Sequence, residues 1–176
     1  MVVAVGLGVI LQQAAQACAL EPMINGGFTV SHPASIGVAV AVANARRDGL
    51  LPAADTAPVP NEIQLNRMLA SLRKLHKRLD KGRKSMSEPP RSFSLVLVGP
   101  GLWSHFYASP AAILARYHTD GPMRDRVTVV THHAVLQTLL NGDLTAEEAM
   151  AHGLLTYSDG NALPVQRFFT AALSPS

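Results

Sequence analysis

The chain has 176 residues, 48% of them apolar and 15% charged, with a formal net charge of +3. That length fits one ordinary domain with an appendage, and the composition excludes disorder driven by excess charge. A single cysteine, Cys18, excludes an intrachain disulfide and a zinc site built from cysteines.

The chain opens with an apolar run from Val2 to Leu11, followed by Ala15-Gln16-Ala17 ahead of Cys18. The arrangement resembles the hydrophobic stretch and cleavage site of an export signal. It is broken by Gln12 and Gln13 and falls short of the ~20 apolar residues that span a bilayer. No Lys or Arg precedes Arg46, so the basic leader of such a signal is missing. Residues 1–17 therefore read either as an export signal, giving an exported or periplasmic, membrane-associated protein, or as a buried N-terminal helix of a cytoplasmic one.

Residues 18–60 read as an extension ending in a proline-rich linker. Asn25-Gly26-Gly27 marks a turn, Ser31 is placed to cap a helix, and Pro33 suits its first turn. The helix that follows, SIGVAVAVANARR, is small and apolar on all sides and needs a neighbour or partner to cover it. Gly49 ends it. Prolines 52, 58 and 60 then forbid continuous helix, which sets a boundary near Pro60.

From Glu62 to Lys81 the apolar residues Leu65, Met68, Leu72, Leu75 and Leu79 recur at three- and four-residue steps, predicting a helix with one leucine face and a stop at Gly82. The net charge is concentrated here. Between Asn61 and Arg91 nine Lys or Arg face three Asp or Glu. Arg67, Arg73, Lys74, Lys77, Arg78, Lys81, Arg83 and Lys84 are candidates for contact with an anionic membrane surface, against the plainer reading of a solvated helix face. No aromatic residue is interleaved with them, so no stacking surface for nucleic acid is present.

Three or four strands are predicted next, at Ser92–Val98, Leu102–Ala108, Ala112–His118 and Arg126–Thr131, with short connections that favour antiparallel neighbours; for the third, Ser109-Pro110 equally suits the start of a helix. Asp120 and Asp125, near Gly121 and Pro122, read as turn residues. Val135, Leu136, Leu139 and Leu140 recur at helical spacing before Gly142, which suits a left-handed stop. Thr145 and Glu148 form the Thr-x-x-Glu capping box of a short helix ended by Gly153. Leu154–Tyr157 reads as a strand, Ser158-Asp159-Gly160-Asn161 as a turn, and Pro164 opens a terminal helix.

No catalytic motif emerges. His132-His133 are adjacent, so their side chains diverge and one metal would rarely take both; capping of the helix after Thr131 explains them better. Trp103 and His105 share a strand face, as a packed aromatic with a hydrogen-bonded histidine would. Glu147 and Glu148 suit the first turn of a helix. Nucleophile elbow, phosphate loop and dinucleotide fingerprint are all absent from the sequence, and no metal or cofactor is called for.

The stretch from Val127 to Gly160 resembles the C-terminal half of a sterol carrier protein domain. The matching positions are Val127, Val129, Leu136, Leu140, Gly142, Leu144, Ala149, Gly153, Leu155 and Gly160. Ser92 to Arg126 agrees in strand character alone, and Met1 to Pro60 does not match. The resemblance implies an α+β fold over residues 61–176, a mainly antiparallel sheet covered by short helices. It also implies non-catalytic binding or transfer of a lipid, fatty acyl, sterol or isoprenoid-like ligand in an apolar tunnel between sheet and helices. The candidate lining is Trp103, Phe106, Leu136, Leu139, Leu140, Met150, Leu154, Phe168 and Phe169. The alternative is an accessory or assembly subunit of a membrane-associated complex, or a homodimer, that uses the fold for protein contact. The apolar SIGVAVAVANA segment and the leucine seam of Leu65–Leu79 favour that alternative.

Overall fold

The computed structural model describes residues 30–54, 60–84, 86, 91–158 and 161–174. Val2–Leu11, Ala15-Gln16-Ala17, Cys18, Asn25-Gly26-Gly27, linker residues 55–59 and the Asp159-Gly160 pair lie outside the described residues. The elements in chain order are α1 (Ser35–Arg47), α2 (Asn61–Arg83), β1 (Phe93–Val98), β2 (Leu102–Ala108), β3 (Ile113–Thr119), β4 (Val127–His132), α3 (His133–Asn141), α4 (Ala146–Ala151), β5 (Leu155–Ser158) and α5 (Leu163–Leu173). They build the expected α+β architecture, one five-stranded sheet in the order β3-β2-β1-β4-β5 with helices on both faces.

Neighbouring strands run antiparallel for β1/β2, β2/β3 and β4/β5, but β1 and β4 are parallel. The sheet is thus mainly antiparallel, as expected, with β1/β4 as its one parallel pair among the described strands. Every residue of β1, and all of β4 except His132, is buried, the pattern of strands covered on both sides. To reach the slot beside β1, the chain leaving edge strand β3 must return the length of the sheet before β4 begins. That return crosses one face and is fixed to it, since Ser94 Oγ accepts the Met123 amide at 2.7 Å and His105 Nε2 lies 2.6 Å from the Gly121 carbonyl. Asp125, in this return, adopts φ 56, the left-handed geometry its turn reading requires.

The same face carries α1. Val38, Val42 and Ala45 point into the core with Leu51. At the start of the helix, buried His32 takes the Ala34 amide on Nδ1 at 3.1 Å, lies 2.8 Å from Ser158 Oγ through Nε2, and sits edge-on to Trp103 at 6.2 Å. The helix therefore begins at Ser35 and not at the Ser31 cap, because the His32 ring takes the amide such a cap would serve. At the other end Gly49 has φ 76, and the Leu50 amide reaches back to the Ala45 carbonyl at 2.8 Å, the left-handed stop that glycine allows.

On the opposite face α2 crosses α5 beneath the sheet. Met68, Leu72, Leu75 and Leu79 are buried. Phe93 stacks on Phe106 at 4.9 Å and meets Phe169 edge-on at 5.3 Å. Gly82 does not end α2, which runs to Arg83. A Cβ at position 82 would lie 2.9 Å from the Ala172 Cβ, so the glycine is where the two helices touch. Further along, Asp80 Oδ1 accepts the Ile113 amide at 3.0 Å, His76 Nε2 meets the Ile113 carbonyl at 2.6 Å, and Arg83 donates to the Pro110 carbonyl. Three α2 side chains thus clamp the start of β3, and the amide bond holds the Asp80 carboxyl below its usual pKa.

Replacing Gly82 by leucine is expected to lower stability by about 1–3 kcal/mol through overpacking, although leucine favours helix by ~1 kcal/mol over glycine. Urea denaturation reads the loss. A companion Ala172→Gly substitution should recover part of it, whereas a stabilising Gly82→Leu would disprove the close crossing.

Candidate functional site

The residues proposed from sequence to line an apolar tunnel divide between the two faces of the sheet. Positions 103 and 106 alternate to opposite sides of β2. Trp103 therefore lies on the α1 side against His32, and Phe106 lies on the α2/α5 side against Phe93. Leu136, Leu139, Leu154, Phe168 and Phe169 gather with Phe106 in the main core, each 1% exposed or less. Leu140 is buried, and Met150 is half-buried at the edge of the same cluster. Phe169 is held between Phe93 and Tyr157, at 5.3 and 6.0 Å. The chain's own side chains thus fill the layer at Phe169. The Tyr157 hydroxyl is buried in that layer with no hydrogen-bond partner among the described residues, and burial pushes its pKa up.

Glycine-bounded α3 and α4 take the positions over β4 and β5 that their signals dictate. His132 is the N-cap of α3, its Nδ1 accepting the Ala134 amide at 3.1 Å, and Gly142 closes the helix at φ 85. Thr145 and Glu148 make the reciprocal capping box, which lowers the Glu148 pKa.

An open groove lies on the α1 side. Gly37, Val40, Ala41, Asn44, Ala45, Asp48 and Leu50 line it from α1 and the turn after it, and Ala151 and His152 close it from the end of α4; its volume is about 670 Å3. Beside it runs a ridge of exposed apolar residues, Ile36 at 57% and Val40 at 54%. Sequence reasoning marked the α1 segment as needing cover but placed no site there. The signal was the missing polar side of SIGVAVAVANA, which carries no charge before Arg46. One side of that helix, Val38, Val42 and Ala45, is buried on the sheet; the other is open.

The basic residues of α2 also divide. Arg67, Arg73, Lys74, Lys77, Lys81 and Lys84 are exposed. Arg78 instead donates to the Leu140 carbonyl at 2.8 Å, satisfying the C-terminal end of α3, and Arg83 is bound to Asp80 and Pro110.

Two histidine–serine pairs are present among the described residues, and in one of them the proton sits on the wrong atom for nucleophilic chemistry. His32 accepts the Ala34 amide on Nδ1, so in the neutral ring Nε2 carries the hydrogen and donates to Ser158. Ser71 Oγ lies 3.0 Å from His133 Nε2 and 3.1 Å from the Arg67 carbonyl, so its one hydrogen is shared between two acceptors. The neutral His32 imidazole takes no proton from its serine, whereas a serine nucleophile needs a base that does. Among the described residues no three His, Cys, Asp or Glu side chains gather in a metal-binding group, and no helix is long and apolar enough to cross a membrane.

No protein-family profile matches the chain, and no curated protein matches it. Among solved structures it is similar to a conserved hypothetical protein of Thermus thermophilus, offered as a sterol carrier protein, at 17% identity and a TM-score of 0.39, covering 61% of this chain and 82% of that one. Similarity at that level bears on neither ligand nor activity.

The His132 cap needs a neutral ring. Burial first, then the positive charge of Arg46 and the neighbouring His133, lowers its pKa to about 4 from the ordinary 6.5. The unfolded chain thus binds more protons between those values, so the cap's contribution is complete above pH 6.5 and is lost as pH falls toward 4. Unfolding stability should fall by about 2–3 kcal/mol between pH 7 and pH 4.5. A His132→Asn variant, which keeps a capping acceptor but does not titrate, should lose most of that slope in urea titrations. An unchanged slope would assign the pH dependence elsewhere.

Proposed function

We propose that this protein is a non-catalytic binding module whose working surface is the apolar ridge and groove of α1, and that it serves as an accessory subunit receiving a hydrophobic helix of a partner. The observation that carries this reading is the α1 ridge. A surface helix of a soluble domain is ordinarily polar on its outer side, yet here Ile36 and Val40 are more than half exposed beside a groove lined by Gly37, Ala41 and Ala151. Small residues next to branched ones allow a second helix to approach closely and interlock, as ridges do in grooves.

A second reading is favoured by the groove's size. A volume of about 670 Å3 falls within the roughly 300–1,000 Å3 of small-molecule sites, so an acyl or isoprenoid-like chain could occupy it. The apolar ligand inferred from the sterol carrier resemblance would then sit against α1 and not beneath α3–α5.

Two measurements on detergent-free protein separate the readings. Under the first, the uncovered ridge should pair with its own copy when the partner is absent, so light scattering during size-exclusion chromatography should show concentration-dependent association, and Val40→Glu should restore a monomer without lowering the melting temperature. Under the second, native mass spectrometry should show one apolar molecule retained per chain, expelled by the groove-filling Ala41→Trp. A strictly monomeric chain that retains nothing would overturn both.

A further inference from the structure

We propose that the outer face of α2 docks the protein electrostatically on an anionic bilayer surface. The face is defined by which cations the fold leaves outside. Arg67, Lys74 and Lys81 follow one another at seven-residue intervals, and Arg73, Lys77 and Lys84 run alongside. All six are exposed, within about a third of the helix circumference and along some 25 Å of its length. The single acid between Arg67 and Lys84 is Asp80, whose carboxylate is engaged by the Ile113 amide and Arg83. It therefore does not offset the row. Arg78 and Arg83, the remaining cations of this stretch, are bound to backbone carbonyls of α3 and of the β2–β3 turn, and they fix the helix with its charged side outward.

Charge complementarity selects the occupant. A helix of 23 residues presents its cations along a straight line, which suits an extended surface of fixed negative charge. Its leucines point into the core, so contact is shallow and electrostatic, unlike that of helices which bury an apolar side among acyl chains. Nucleic acid is the poorer fit, because α2 contains no Phe, Tyr or Trp on which a base could stack.

The proposal stands independently of the role given to α1. The two helices cover opposite faces of the sheet, so a chain lying on a bilayer through α2 holds the α1 ridge toward solvent. Adsorption by one surface leaves the other accessible.

The test is co-sedimentation of the full chain with vesicles of phosphatidylcholine alone or of phosphatidylcholine with about one-third phosphatidylglycerol. Binding is expected to the anionic vesicles only, falling as salt rises from about 20 to 150 mM in line with screening. The triple variant Lys74→Gln, Lys77→Gln, Lys81→Gln should bind on the order of a hundredfold more weakly, at roughly fivefold per cation removed, with unchanged circular dichroism. Arg78→Gln is the contrasting control, which should lower thermal stability and leave vesicle binding within about twofold. Equal binding to neutral vesicles, full binding by the triple variant, or tighter binding to duplex DNA or RNA than to the anionic vesicles would each overturn the proposal. Failure here would leave the α1 reading intact, since none of these residues lines its groove.

Discussion

Strands β1 and β4 sit at the middle of the sheet with no solvent side, so each requires cover above and below. Much of the architecture answers that requirement. One side is closed by α2, α3 and α5 around the Phe93, Phe106 and Phe169 cluster. The other is closed by α1 and by the return between β3 and β4. Both helices that precede the sheet in sequence are therefore structural partners of strands that follow them, and His32 and Ser158, 126 residues apart, mark how far that dependence reaches. Residues 30–54 share a hydrophobic core with the remainder.

Local signals in the sequence were read successfully because their physics is local. The Thr145–Glu148 capping box, the left-handed glycines at 142 and 153, and the His132 cap each satisfy backbone groups within four residues. Strand boundaries fell within a residue of their predicted positions, since alternation and turn residues are likewise short-range. The α+β class follows from those elements. Strand order does not: nothing within the VTVVT stretch says that it inserts beside β1, and only its burial on both sides, visible after folding, explains the parallel pairing.

The candidate site was harder to read for the same reason. Whether Arg78 or Lys77 faces inward depends on where α3 lies, and α3 is about sixty residues away. Gly82 is indistinguishable in sequence from a helix stop until Ala172 is found against it. Trp103 and Phe106 are the exception, since three residues apart on a strand they point to opposite faces and their separation was legible from the spacing alone. The apolar character of α1 was plain, but which side of it remained open was decided by Val38 and Val42 meeting the sheet. A greasy helix announces that it needs company without saying how much of that company the fold itself provides.

The clamp that α2 places on β3 bears on what the protein avoids. An outermost strand ordinarily offers unpaired amides and carbonyls to which a foreign strand can add. Here Asp80 and His76 occupy both backbone groups of Ile113, and Arg83 takes the Pro110 carbonyl just before it, so the ladder is blocked at the first residue of the strand. The helix that carries the charge thereby also guards the rim. Peeling it away would free the Ile113 amide and carbonyl at the moment its cations lost their fixed direction, so strand protection and the orientation of the charged row depend on the same few turns.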